Sequence, residues 1–226
     1  MENELRKRLV EFAKINKNKP GFTHGIARGF HNGQQVFDLQ GNLSVGPGRQ
    51  FVAAKLFELE DTFFDNVSSG TNLYNHCITH FALGNGGTTM IEGYENLIGP
   101  NPCDDDLYSP ISMDNVETHL PSPQVGTENS LKPISNENIS IIEAADIEEC
   151  SVKSYVKIII GVQSNEPTIH EMIKINEAGI YITNYKLLPF PVNKDNVISH
   201  LFAHLCFKPN YIERESEFYI EWYILC

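Results

Sequence analysis

Residues 217–226 read EFYIEWYILC, and the fold class turns on this stretch. Phe218, Ile220, Trp222 and Ile224 share one face of an extended chain, because successive side chains of a strand point to opposite sides. The other face carries Tyr219, Glu221, Tyr223 and Leu225, with Glu221 its one charge. A strand with one side on water carries more charge than that. The pattern therefore predicts a strand in the middle of a sheet, or one whose outer face is covered by a neighbouring subunit or by a helix over 49–64. Phe218, Ile220, Trp222 and Ile224 are the expected core, and Glu221 needs a cationic partner or water.

Upstream, the last third of the chain repeats this character. NISIIEAADI (138–147), SVKSYVKIIIGVQ (151–163), INEAGIYITN (175–184) and VISHLFAHLCF (197–207) are apolar runs rich in β-branched residues, separated by turn signals. Such a succession predicts an antiparallel β-sandwich or barrel-like core. The first third differs. Leu5, Leu9, Phe12 and Ile15 recur at helical spacing over 3–16, and the Asn-Gly pair at 32–33 joins two short runs as a hairpin. A second apolar stripe (Phe51, Val52, Leu56, Leu59, Phe63) predicts the helix over 49–64. The fold class is thus mainly β with N-terminal helices (α+β). Residues 1–70 form a helix, hairpin and helix region, and 71–226 form a β-rich domain. Between 88 and 136, Gly, Pro, Asn, Asp and Ser dominate, which predicts a long excursion that reaches adjacent subunits.

Within 226 residues, 29 acidic against 17 basic side chains give a formal net charge of -12. A nucleic-acid partner needs a basic stripe to neutralise phosphates, so none is expected. No run of eighteen apolar residues is present and no secretory pattern opens the chain, so no membrane partner is expected either. Five cysteines, odd in number and widely spaced, are not a disulfide framework.

The residues that could carry chemistry form no recognisable set. HFALGNGGTT (80–89) is glycine-rich, but no Lys-Ser or Lys-Thr follows, so it is not a phosphate loop. Gly84, Gly86, Gly87 and Gly179 are read as structural turn glycines, with positive φ or a close backbone approach. His76, Cys77, His80 and Cys103 lack the compact spacing of a zinc finger, and the two histidines read as polar residues on a strand that alternates as a half-buried one does. Asp104, Asp105 and Asp106 lack the spacing of a calcium loop and read as a solvated acidic turn. His200 and His204 share one strand face, expected to be polar or subunit-facing. Glu177 has no second carboxylate at a definable geometry. No catalytic residue, metal or cofactor is therefore expected, and the chain reads as a non-enzyme.

Read together, THFALGNGGTT (79–89), PCDDDLYSPI (102–111), INEAGIYITN (175–184) and the closing EFYIEWYILC resemble the order of motifs in virion structural proteins of tailed bacteriophages, the tail-fibre, baseplate and neck-associated group. The resemblance covers roughly Leu73 to Cys226. It implies a protein of the virion, assembled in the host cytoplasm, with copies of itself (a ring or trimer) and other virion proteins as partners. The length of the chain points to a small adaptor in the tail, neck or baseplate rather than a whole fibre. From a different class, a carbohydrate-binding β-sandwich module on a virion or cell surface is the alternative.

Overall fold

The computed structural model describes residues 2–16, 25–45, 48, 51–52, 55, 76–113, 118–146, 151–162, 172–189, 191–213 and 216–225. Most of the helix expected over 49–64 lies outside the described residues. Two five-stranded antiparallel sheets form a sandwich. The first runs in the order β2 (Gln34–Gly41), β1 (Gly25–His31), β12 (Phe218–Leu225), β9 (Ser151–Val162), β8 (Ile139–Asp146). The second runs β3 (Leu43–Ser44), β11 (Ser199–Glu213), β10 (Met172–Thr183), β4 (Cys77–Gly84), β7 (Lys132–Pro133). The helix α1 (Glu2–Asn16) precedes them, and a two-stranded hairpin, β5 (Thr88–Ile91) and β6 (Tyr94–Leu97), stands outside both sheets.

The C-terminal strand sits at the centre of its sheet, with Trp222 opposite Ala27 on one side and Ile158 on the other. Its inner face enters the core between the sheets: Phe218, Ile220 and Trp222 are 0% exposed, and Ile224 packs at the margin. Phe81, Ile180, Ala203, Leu205 and Phe207 meet them from the second sheet. The second face is covered by α1. Leu9 and Val10 bury against Ile26, Ala144, Tyr155 and Tyr223, with Leu5 and Phe12 around them. Ile15 leaves the expected stripe and is 71% exposed. Glu221 finds the cations it needs: Arg28 Nε at 2.5 Å and Lys157 Nζ at 2.6 Å, with the Tyr223 hydroxyl also donating to it. At the β1–β2 turn Asn32 and Gly33 both have positive φ (48° and 74°), as a two-residue Asn-Gly hairpin requires.

The long excursion folds differently from the expectation. Apart from the hairpin, its described residues pack on their own subunit. Leu107, Leu120 and Leu131 bury against Ala82, Tyr181 and Leu201 on the outer face of the second sheet, and Met113 enters the sandwich core. Backbone bonds fasten it. Ile111 N–H donates to the Leu83 carbonyl at 2.9 Å, Ile134 N–H to that of Thr79 at 2.7 Å, and Leu120 and Leu131 exchange a pair. Apolar residues this far apart in a polar sequence show no period, so their burial was invisible to pattern reading.

The glycines also need correction. Among the described residues, positive φ at glycine occurs at Gly33, Gly93 and Gly126 and not at Gly84, Gly86, Gly87 or Gly179. Gly179 is no turn residue but lies in the middle of β10, opposite His204 and Ala82. The close-approach half of the expectation holds. A Cβ on Gly87 would lie 2.2 Å from the Asn176 carbonyl oxygen, and one on Gly84 2.4 Å from Glu177 Oε1.

Candidate functional site

On the outer face of the second sheet, β10 contributes Glu177 and β11 contributes His204 and Cys206, all buried. The segment after β6 crosses above them and adds Asp104 and Tyr108. Glu177 is fully buried in the middle of its strand, and a buried carboxylate must be matched by donors. It is. Oε1 accepts the backbone N–H groups of Gly86 (2.9 Å) and Ser109 (2.8 Å). Oε2 accepts that of Tyr108 (3.0 Å) and faces His204 Nε2 at 3.1 Å. A single carboxylate thereby joins the glycine turn after β4, the 108–109 segment and β11. This is what the close approach of Gly84 and Gly86 makes room for.

His204 bridges two carboxylates. Its Nδ1 is 2.7 Å from Asp104 Oδ2, and Cys206 Sγ lies 3.6 Å from its Nε2. Burial works against a charged imidazole here. Hydrogen bonds to Asp104, Cys206 and Glu177 outweigh it and raise its pKa to about 11. Burial likewise opposes the charge of Asp104, but its bond to His204 and the Asn101 N–H hold its carboxyl below the usual range. The Tyr108 hydroxyl donates to the same Asp104 oxygen at 3.1 Å, and the Tyr108 ring stands edge-on to the imidazole, 4.9 Å between centroids.

Of the acidic run only Asp105 is exposed as a solvated turn would be, while Asp104 is half-buried. Asp106 is buried and accepts from the N–H groups of Leu107 (2.9 Å), Gln124 (3.0 Å) and Val125 (3.1 Å) and from the Tyr181 hydroxyl (2.5 Å). Nor is the His204 position subunit-facing, since its own chain covers it. His76 and His80 are buried, Cys77 is half-buried and Cys103 is exposed, so these four form no finger-like cluster.

The same network mounts the hairpin. Asn176 Oδ1 accepts the Gly87 N–H (2.8 Å), and its Nδ2 donates to Thr88 Oγ1 (2.8 Å). Lys174 Nζ also donates to Thr88 Oγ1 (3.0 Å) and pairs with Glu95 on β6. The tip is the Glu92-Gly93 pair, both at positive φ (52° and 82°). Beyond this root the hairpin is exposed: Met90 65%, Ile91 55%, Tyr94 77% and Leu97 51%. Sequence reasoning missed it because its strands are four residues long and do not alternate.

A further pair of histidines yields a pH prediction. Burial lowers the pKa of His80 to about 4, and burial with the neighbouring His76 lowers that of His200 to about 4. Against an unfolded value of 6.5, the unfolded chain binds more protons between pH 6.5 and 4. Stability is fully present above 6.5 and falls as the pH drops through that window, by up to about 1.4 kcal/mol per pH unit for His80. Melting midpoints measured across pH 4 to 7 should slope down accordingly, with a shallower slope in His80→Gln. A slope unchanged by that substitution would assign the loss elsewhere.

Comparisons with protein families, curated proteins and solved structures found no match for this chain.

Proposed function

We propose that the protein is a structural component of a tailed-bacteriophage virion, a tail, neck or baseplate adaptor that works by multimeric assembly. The observation that carries this reading is the β5–β6 hairpin, an apolar projection held at its root by hydrogen bonds to Asn176 and Lys174. A lone two-stranded hairpin is marginal in water, and its two outer edges offer unpaired backbone groups. Four large apolar side chains on such an element favour a docking contact over a solvated loop. The order of motifs noted in the sequence supplies the virion context. Copies that each carry a net charge of -12 repel one another, so an apolar contact is what association between them requires. The carbohydrate-binding alternative is weakened by the burial of Trp222, the sole tryptophan, which leaves it unable to serve as a sugar platform.

Quantitative mass spectrometry of purified particles of a phage encoding this chain tests the proposal. The protein should copurify at a fixed ratio to the known tail proteins. Abundance in infected lysate with absence from the particles would refute it.

A further inference from the structure

We propose that Glu177, His204 and Cys206 form a binding site for one divalent transition-metal ion of the zinc type. Their ligand atoms, one carboxylate oxygen, Nε2 and Sγ, all lie within 4.8 Å of one another, and all three residues are buried. Zinc binds thiolate sulfur at about 2.3 Å and imidazole nitrogen at about 2.0 Å, which at a tetrahedral angle sets S and N about 3.6 Å apart. Cys206 Sγ and His204 Nε2 are 3.6 Å apart. Nitrogen and oxygen ligands on the same ion stand about 3.3 Å apart, and His204 Nε2 and Glu177 Oε2 are 3.1 Å apart. The ion would take the place of the Nε2 proton that now links the two side chains.

The surroundings are those of a metal ligand set. Asp104 holds His204 through Nδ1, which directs Nε2 towards the other two groups, as a carboxylate behind a ligating histidine does. Glu177 Oε1 is fixed by two backbone N–H groups and Oε2 by that of Tyr108, which leaves the second lone pair of Oε2, on the side of His204, to ligate. A thiolate, an imidazole and a single carboxylate select zinc-like ions over calcium or magnesium, which prefer all-oxygen sites. The fourth position falls to water, beside the partly exposed Tyr108, whose ring stands edge-on to His204. Bound there, the ion would tie β10 to β11 beneath the root of the hairpin. This inference rests on the geometry of the cluster and not on the assembly reading, so either can fail alone.

The test uses the full chain, purified without chelator and also refolded with zinc or cobalt(II) as the only added metal. About one zinc per chain is expected, with a higher melting midpoint than the metal-free protein. The cobalt(II) form should show a thiolate charge-transfer band in the near ultraviolet. Cys206→Ser should abolish the band, and Cys103→Ser, at an exposed cysteine, should leave it unchanged. Wild-type protein that takes up no stoichiometric metal by either route overturns the proposal, whatever the variants do. A band that survives Cys206→Ser also overturns it.

Discussion

Glu177→Ala is expected to destabilise the protein by about 3–5 kcal/mol, the range for removing one partner from a buried charged pair. The change strands the amides of Gly86, Tyr108 and Ser109 without an acceptor and leaves His204 with Asp104 and Cys206. Unsatisfied buried donors cost more than the bonds they once made. Glu177→Gln keeps the shape and one carbonyl acceptor but loses the charge, so its loss should be smaller. Denaturant melts would give both values. Hydrogen exchange adds a spatial readout: in Glu177→Gln, amides near Gly86 and Thr88 should lose protection before those of β12. A melting midpoint in Glu177→Ala equal to wild type would mean that this carboxylate does not organise the outer face.

Trp222→Ala should cost a similar amount, about 3–5 kcal/mol, by a different mechanism. The indole is 0% exposed and lies at the centre of the sandwich between Ala27 and Ile158. With the Asn42 amide oxygen turned towards it, the indole N–H is satisfied at 3.2 Å. Truncation opens a cavity that two sheets on opposite sides cannot close, and it leaves Asn42 without that donor. Such a loss is a large part of a domain's 5–15 kcal/mol. Removing 217–226 altogether takes away the middle strand of the first sheet and should yield insoluble protein. Soluble truncated protein with an unchanged melting midpoint would show the strand to be peripheral.

The elements legible in the sequence were those whose neighbours lie on a simple period. EFYIEWYILC announced a central strand because both faces are apolar, and α1 and the β1–β2 hairpin were marked by helical spacing and by Asn-Gly. The covering of β12 was harder: the sequence suggested a helix over 49–64, whereas α1 does it, since no periodic pattern says which sheet an amphipathic helix will choose. The candidate site was mostly illegible. Asp104, Glu177, His204 and Cys206 come from three separate segments, and tertiary packing alone brings them together. One signal was present. Glu177, next to Asn176, is the one carboxylate of a strand that is otherwise mostly apolar, and His204 and Cys206 sit two apart in another. A charge embedded in a strand buried on both faces must have partners, and that reasoning points to the site before any geometry is known.

The assembly account is tested most directly by the mass of the full chain in solution, from size-exclusion chromatography with light scattering. It is measured beside a variant carrying Met90→Glu and Tyr94→Glu. Both side chains are exposed, so the substitutions should leave the melting midpoint unchanged. The account predicts a closed multimer for the wild type, at an integral multiple of the single-chain mass, and single chains for the variant. Wild-type protein that stays at the single-chain mass at every concentration, or a variant that forms the same multimer, would contradict it.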